Sequence, residues 1–221
     1  MRISVAISFL MLSLNGLGQT QYLGFEAGAT RTSINGKNFM ENNDFRTGWT
    51  GGLVYQRQFD NNFILGTGLS YIEKGFNNEL AYTDYEGNPR EPLGETITSF
   101  NYNYLSIPIK GGFQFGSKWA GFVNLGLVSS FLVHASVHEP GIEGIIDARK
   151  TNVTDRVSRF DLGGLGEIGI SYELFNSFVI SSTLAYQQSI TSVTNEGYFS
   201  QSKIRHYGTS LSVGLKYRMN Y

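Results

Sequence analysis

The end of the chain reads RHYGTSLSVGLKYRMNY, from Arg205 to Tyr221. Its odd positions carry large apolar side chains such as Leu211, Val213 and Leu215, whereas the even positions between them carry Ser, Gly and Lys. Successive side chains of a β-strand point to opposite faces. The alternation therefore predicts a strand with one apolar face and one face of small and polar residues.

The same alternation recurs along the chain and predicts eight strands after residue 19. The predicted strands are Tyr22–Thr30, Gly48–Phe59, Phe63–Lys74, Asn101–Phe115, Gly121–His134, Arg159–Leu174, Phe178–Ser189 and Arg205–Tyr221. Tight turns around Asp60, Ser117 and Asn176 alternate with longer connections. These longer connections are Arg31–Thr47, Gly75–Thr98, Ala135–Ser158 and Ile190–Ile204. An even number of strands with short turns at one end and long loops at the other is typical of an up-and-down transmembrane β-barrel.

Composition indicates which face of the predicted sheet meets lipid. Charged residues make up 16% of the chain and there are 27 glycines, whereas soluble domains contain roughly 25% charged residues. A polar face built from Gly, Ser and Thr suits the narrow interior of an eight-stranded barrel better than a surface in water. We therefore expect the apolar face to point outward, into a membrane.

Aromatic residues at the strand ends predict two girdles, one at each membrane interface. At the short-turn end these are Phe59, Phe63, Phe115, Tyr172, Phe178, Tyr217 and Tyr221. At the other end they are Trp49, Tyr71, Phe160, Tyr186 and Tyr207. Aromatic residues also end strands in soluble β-proteins, so a soluble lipocalin-like ligand-binding barrel remains an alternative.

Net charge and residue usage exclude several classes of function. The formal net charge is -1, which argues against nucleic acid as a partner because phosphate contacts need a basic excess. The chain has no Cys, so thiolate catalysis and Cys-based metal sites are excluded. No metal-ligand spacing is present, and we predict no metal, no cofactor and no catalytic residues.

Residues 1–18 have the pattern of a signal peptide. Arg2 precedes an apolar stretch from Ile3 to Leu14, and Gly16 and Gly18 form a small-x-small exit. A buried or membrane-anchoring first helix is the alternative. We expect the barrel domain to comprise residues 19–221.

Three short motifs resemble the PorT-like outer-membrane β-barrel proteins. They are Tyr22-Leu23-Gly24-Phe25-Glu26-Ala27-Gly28, Tyr104-Leu105-Ser106-Ile107-Pro108-Ile109-Lys110 and Gly214-Leu215-Lys216-Tyr217. The resemblance covers the whole mature chain. It implies an eight-stranded barrel in the cell envelope of a Gram-negative bacterium, at the outer membrane, surrounded by lipid and lipopolysaccharide.

Two features of the strands have further consequences. The apolar alternation ending in Tyr217 and Tyr221 looks like the insertion signal read by the barrel assembly machinery.

Pro108 has no N–H to donate to a ladder, so we expect a β-bulge or a widened strand pair there.

Six charged residues have inward parity and predict a charge network that plugs the lumen. They are Glu26, Lys74, Lys110, Asp161, Glu167 and Lys216. Unpaired charges would be costly in so narrow an interior, so we expect them to pair. If Tyr221 lies opposite Gln21, Lys216 lies opposite Glu26. A proton or ion path along the lumen is the alternative to a plug.

The loops provide the remaining functional candidates. An acidic and aromatic loop, with Glu79, Tyr82, Asp84, Tyr85 and Glu86, is a candidate surface for binding a protein or glycan. A solvated acidic loop that repels anionic lipopolysaccharide is the alternative. We therefore predict a structural or surface-binding role without a large pore.

Histidine residues leave an enzymatic alternative open. His134, His138 and His206 are expected near the rim. His134 with Asp161 or Ser210 would be the base, orienting group and nucleophile of a lipid-modifying enzyme or a protease.

Overall fold

The described residues of the chain form nine antiparallel strands and one short 3-10 helix. The computed structural model describes residues 20–36, 43–81, 95–141, 147–175, 177–194 and 203–219. The strands are β1 (Thr20–Asn35), β2 (Asn43–Gln58), β3 (Phe63–Ala81), β4 (Glu95–Gly116), β5 (Trp119–Glu139), β6 (Arg149–Asn152), β7 (Phe160–Phe175), β8 (Phe178–Ser189) and β9 (Arg205–Met219). The 3-10 helix η1 spans Thr154–Arg156. No helix within the described ranges is long and apolar enough to cross a membrane.

Eight of the strands close into a barrel. Each strand from β1 to β5 pairs with the next, β5 pairs with β7, and β7 to β9 continue the sheet. The pairing of β1 with β9, from Gln21↔Met219 to Asn35↔Arg205, closes it. β6 lies outside this ring and pairs only with the last residues of β5. The predicted eight-stranded, up-and-down antiparallel barrel is confirmed.

The strands are longer than the sequence predicts. β3 continues to Ala81 and β4 begins at Glu95, so much of the connection expected over Gly75–Thr98 is sheet. β5 likewise runs to Glu139 and β1 to Asn35. We call the end with these extensions the loop end, and the end with the three short connections the turn end.

The barrel presents its apolar residues outward. Phe25 is 69% exposed and Leu125 is 73% exposed, whereas inward residues such as Ser106, Ser130 and Thr183 are buried. A single layer of sheet with an apolar outer face and a polar inner face is the arrangement of a barrel solvated by lipid. The expected orientation of the two faces is therefore correct.

Aromatic side chains contact one another at both ends of this outer face. At the turn end these pairs are Phe59–Phe63, Phe63–Phe113, Trp119–Tyr172 and Phe178–Tyr217, with ring centroids 4.5–5.8 Å apart. At the loop end they are Trp49–Tyr71, Phe131–Phe160 and Phe45–Tyr207, 4.8–5.6 Å apart. The two girdles are present. The prediction did not include four of their members, which are Phe113 and Trp119 at the turn end and Phe45 and Phe131 at the loop end.

Pro108 interrupts a ladder without shifting its register. β3 and β4 pair through Thr67↔Ile109 and again through Ser70↔Ser106, in one continuous register, and the two pairs between them are missing. This gap agrees with the expected irregular strand pair, because Pro has no N–H to donate to the ladder. The expected bulge does not lie at Pro108. The register of β4 with β5 instead shifts between Asn103 and Tyr104.

Candidate functional site

The lumen is the best-defined candidate site, and its loop end is filled by apolar side chains. We call this set the apolar plug. Its members are Ile34, Ile72, Phe76, Tyr102, Tyr104, Leu132, Ala135, Val157, Val193 and Ile204. Tyr104 is 0% exposed, and Phe76 stacks on Phe100 with ring centroids 4.4 Å apart. The described side chains at this end of the lumen are therefore closely packed.

Two connecting segments cover the plug and are hydrogen-bonded to each other. Ser158 N donates to Val193 O at 2.8 Å, and Val193 N donates to Ile204 O at 2.8 Å. Residue Thr154 of η1 anchors the first segment to the wall, because its Oγ1 accepts from Ala135 N at 2.9 Å. The cover is therefore attached to the barrel through a hydrogen bond to the backbone of β5.

At the level of the plug, an ion pair crosses the lumen from β3 to β7. Lys74 Nζ lies 2.9 Å from Asp161 Oδ2, and the two side chains are 4% and 3% exposed. The Asp161 carboxylate also accepts from Ser189 Oγ at 2.9 Å and from Thr191 Oγ1 at 3.1 Å. Lys74 Nζ is 5.2 Å from the centroid of the Tyr104 ring. Each charge thus has several partners, as a buried charge requires.

A second ion pair lies nearer the turn end. Lys110 Nζ donates to both carboxylate oxygens of Glu167 at 2.8 Å. Asn124 Nδ2 donates to Glu167 Oε2 at 2.9 Å. Since these residues lie on three adjacent strands, β4, β5 and β7, they tie one wall of the barrel together.

Glu26 and Lys216 lie in the same part of the lumen as Lys110 and Glu167. They do not pair with each other as the sequence predicts. Lys216 lies opposite Gly24, and Glu26 lies opposite Gly214, because Gln21 pairs with Met219 rather than with Tyr221. Lys216 Nζ donates instead to Gln56 Oε1 at 2.8 Å. None of the ion pairs found in the described part of the chain includes Glu26.

A small cavity of about 20 Å³ lies between these groups. Its polar lining includes Glu26, Gln56, Lys110, Asn124, Glu167 and Lys216. A space of this size with several polar partners suits a single buried water molecule.

The lumen opens at the turn end into a polar vestibule of about 640 Å³. Arg218 Nη1 pairs there with Glu173 Oε1 at 3.1 Å, and Arg218 Nη2 donates to Tyr22 Oη at 3.3 Å. The barrel is thus open at the turn end, and the apolar plug fills its lumen at the loop end.

His134 and Asp161, two residues of the candidate rim enzyme, have other partners in the structure. His134 Nδ1 lies 3.5 Å from Thr154 Oγ1, while the Asp161 carboxylate is engaged by Lys74, Ser189 and Thr191. His206 is not a rim residue, because it is 1% exposed and packs edge-on against Tyr102 with ring centroids 5.0 Å apart.

The predicted surface loop is only partly described. Glu79 lies on β3, opposite Ile97 of β4. Tyr82, Asp84, Tyr85 and Glu86 lie outside the described residues, as does Tyr221. Tyr217 faces outward and packs edge-on against Phe178, with ring centroids 5.3 Å apart.

The apolar plug is the feature that sequence reasoning missed. Phe76 and Val157 fall in the predicted connections, and Tyr104 has the same parity as the polar residues Ser106 and Lys110 of the predicted strand Asn101–Phe115. A usable signal exists, because Ile72, Lys74 and Phe76 continue the inward parity of β3 past its predicted end. The aromatic residue Phe76 lies at an inward position on the loop-end side of the inward Lys74. This order indicates that packed side chains fill the lumen at its loop end.

Comparisons with known proteins concern both the sequence and the fold. A family model described as an outer membrane protein beta-barrel domain matches residues 17–195. No curated protein sequence matches the chain. Among solved structures, Neisserial surface protein A is 13% identical, with a TM-score of 0.45, and the match covers 89% of this chain and 97% of that one.

Two further structures are similar. The outer membrane protein OprG from Pseudomonas aeruginosa is 12% identical, with a TM-score of 0.44, and the match covers 92% of this chain and 97% of that one. The outer membrane protease OmpT from Escherichia coli is 11% identical, with a TM-score of 0.43, and the match covers 91% of this chain and 96% of that one.

Proposed function

Because the chain belongs to the outer membrane protein β-barrel family, we propose that it is a closed barrel that acts through its extracellular surface. The observation that carries this proposal is the apolar plug. A lumen that narrows from a polar vestibule to close-packed Phe76, Tyr102 and Tyr104 does not provide a continuous path for water or ions. Barrels that conduct freely have about 16–18 strands and a wide aqueous interior.

We propose a binding or structural role rather than a catalytic one. The support is that Asp161, the acidic partner that a rim enzyme would need, is committed to Lys74 and two hydroxyl groups. The strands extend beyond the girdle at the loop end, which is the extracellular end if the short turns are periplasmic. Such extensions offer a raised surface to a protein or glycan.

We further propose that residues 1–18 and the last strand direct export and membrane insertion. Residues 1–18 direct export as a signal peptide, and the last strand, with Tyr217 and Tyr221, is recognised by the barrel assembly machinery. The pattern of a charged, apolar and small-residue segment supports the first step. The PorT-like resemblance of the three sequence motifs supports the same assignment.

Single-channel recording tests the closed barrel. Purified full-length protein is inserted into planar bilayers, with a large-pore porin as the positive control for insertion and detection. Folding is verified by the faster migration of the unheated barrel on a gel. We expect no stable conductance steps from folded protein. Reproducible steps in proportion to the amount of folded barrel would refute the proposal.

A further inference from the structure

Cationic side chains gather at the loop end of the barrel, beside the seam where β9 closes on β1. Arg31 of β1 and Arg205 of β9 are exposed, and so is Lys203, two residues before Arg205. We call these three residues the cationic patch. Arg31 lies opposite Thr209, and Arg205 lies opposite Asn35. Four residues of β1 therefore separate the levels of the two arginines, which is about 13 Å along a strand.

The alternation of the two strands places both arginines on the outer face. Their chain neighbours Thr30 and His206 are each 1% exposed and face the lumen. Because successive side chains of a strand point to opposite faces, Arg31 and Arg205 point away from the lumen.

The cationic patch lies at the level of the loop-end girdle. Ser33 and Tyr207 form the outward pair between the levels of the two arginines. Trp49 lies opposite Ala29, the outward position of β1 next to Arg31. Aromatic girdles mark the membrane interfaces. An outward arginine at this level therefore faces the head groups of the surrounding lipid.

Phe45 orients the Arg31 side chain. The centroid of its ring is 5.1 Å from Arg31 Cζ, and the same ring contacts Tyr207 edge-on, with centroids 5.6 Å apart. A cation–π contact attracts a guanidinium group through the face of the ring. It leaves the N–H groups of Arg31 available to an external acceptor.

Carboxylates of the described residues do not neutralise the cationic patch. None of the ion pairs found in those residues includes a member of the patch. The neighbouring acidic groups have other partners, because Glu73 pairs with Arg46 at 3.8 Å and Asp44 Oδ1 accepts from Phe45 N at 2.6 Å. The patch thus presents positive charge to the head-group region, and guanidinium groups bind phosphate through two parallel hydrogen bonds.

We propose that the cationic patch binds the phosphorylated disaccharide head of lipopolysaccharide, with one phosphate at Arg31 and the other at Arg205 and Lys203. A disaccharide with a phosphate at each end is comparable in length to the separation of the two arginines. The single phosphate of a glycerophospholipid can occupy only one of these positions. The inference rests on the proposed extracellular position of the loop end and names a lipid partner for it.

Titration followed by native mass spectrometry tests this site on the full chain, folded and solubilised in detergent. The probes are lipid A with two phosphates and phosphatidylglycerol, which has one. We expect lipid A to bind saturably, with one molecule per barrel at low concentration. Its affinity should exceed that of phosphatidylglycerol by about tenfold, the gain expected of a second charge-assisted hydrogen bond.

Single arginine variants localise the binding. Arg31→Gln and Arg205→Gln should each weaken lipid A binding by about tenfold. Arg159→Gln is the matched control, because it removes the same charge from an exposed arginine that is already paired with Asp155. Its affinity for lipid A should equal that of the natural chain.

Three results would overturn the inference: no saturable binding of lipid A, equal affinities for lipid A and phosphatidylglycerol, or patch variants that bind lipid A as tightly as Arg159→Gln does. Each sample is first checked for the mobility shift of a folded barrel. If the barrel is folded and without conductance but gives one of these results, the lipid site is wrong while the closed-barrel proposal stands. Conductance steps together with the expected lipid A binding would refute the closed barrel and leave the lipid site in place.

Discussion

Lys74 and Asp161 show at the scale of single residues how this lumen tolerates charge. Both side chains are almost completely buried, and removing a charge from water costs several kcal/mol before partners compensate. Compensation comes from their mutual contact and from Ser189 and Thr191. The pair therefore depends on both partners being present.

Replacing one member of this pair should be costly. Lys74→Met leaves the Asp161 carboxylate buried without its cation, and we expect the free energy of unfolding to fall by about 3–5 kcal/mol. Urea titration of the folded barrel in lipid vesicles, followed by tryptophan fluorescence, measures the change.

An exposed ion pair and a double variant provide the controls. Arg159→Gln removes a partner from the exposed pair with Asp155 and should change stability little. Lys74→Met combined with Asp161→Leu should recover much of the loss, because no uncompensated charge remains. Equal stability of Lys74→Met and Arg159→Gln would contradict this account of the lumen.

At the scale of strands, close approach explains particular glycines. A Cβ at Gly112 of β4 would meet the carbonyl oxygen of Val123 and the side chain of Asn124. Asn124 uses that space to reach Glu167. Gly164 of β7 differs, because a Cβ there would meet no atom within 4 Å.

These two positions form a matched pair of substitutions. Gly112→Ala should lower the free energy of unfolding by about 1–3 kcal/mol through overpacking, whereas Gly164→Ala should leave it unchanged. Urea titration and the fraction of mobility-shifted barrel after refolding report both effects. A Gly164→Ala loss as large as that of Gly112→Ala would argue against the role of close approach.

Strand existence could be predicted from sequence, but strand length could not. Alternation and turn residues such as Asp60 and Ser117 are local signals, so the eight strands and three short turns were predicted. Beyond the girdle, β3 to β5 leave the lipid and lose the need for apolar outward residues. Their alternation fades there, and the extensions were assigned to connections.

At the scale of the whole molecule, the girdles define where the barrel sits in the bilayer. The chain has two Trp residues, and the structure places Trp49 at the loop-end girdle and Trp119 at the turn-end girdle. They are 52% and 67% exposed. Both therefore lie at the level of the lipid head groups, on opposite sides of the membrane.

Quenching by brominated lipids tests this placement. In the single-tryptophan variants Trp49→Phe and Trp119→Phe, we expect lipids brominated near the head group to quench more than lipids brominated near the chain end. The reverse order is expected when Leu125→Trp is added to a chain lacking both, because Leu125 lies midway along the outer face. Deep quenching of either natural tryptophan would contradict the girdle assignment.

The sequence by itself determined the barrel, its inside-out polarity, its short turns and the parity of the six predicted luminal charges. These properties follow from the period of two and from local composition. Tertiary structure alone decided which charges meet. The offset between β1 and β9 on closure places Lys216 opposite Gly24, and the register shift beside Tyr104 turns Ala135 toward the plug. Register and closure depend on contacts between residues far apart in the chain, and the pattern of one strand does not contain them.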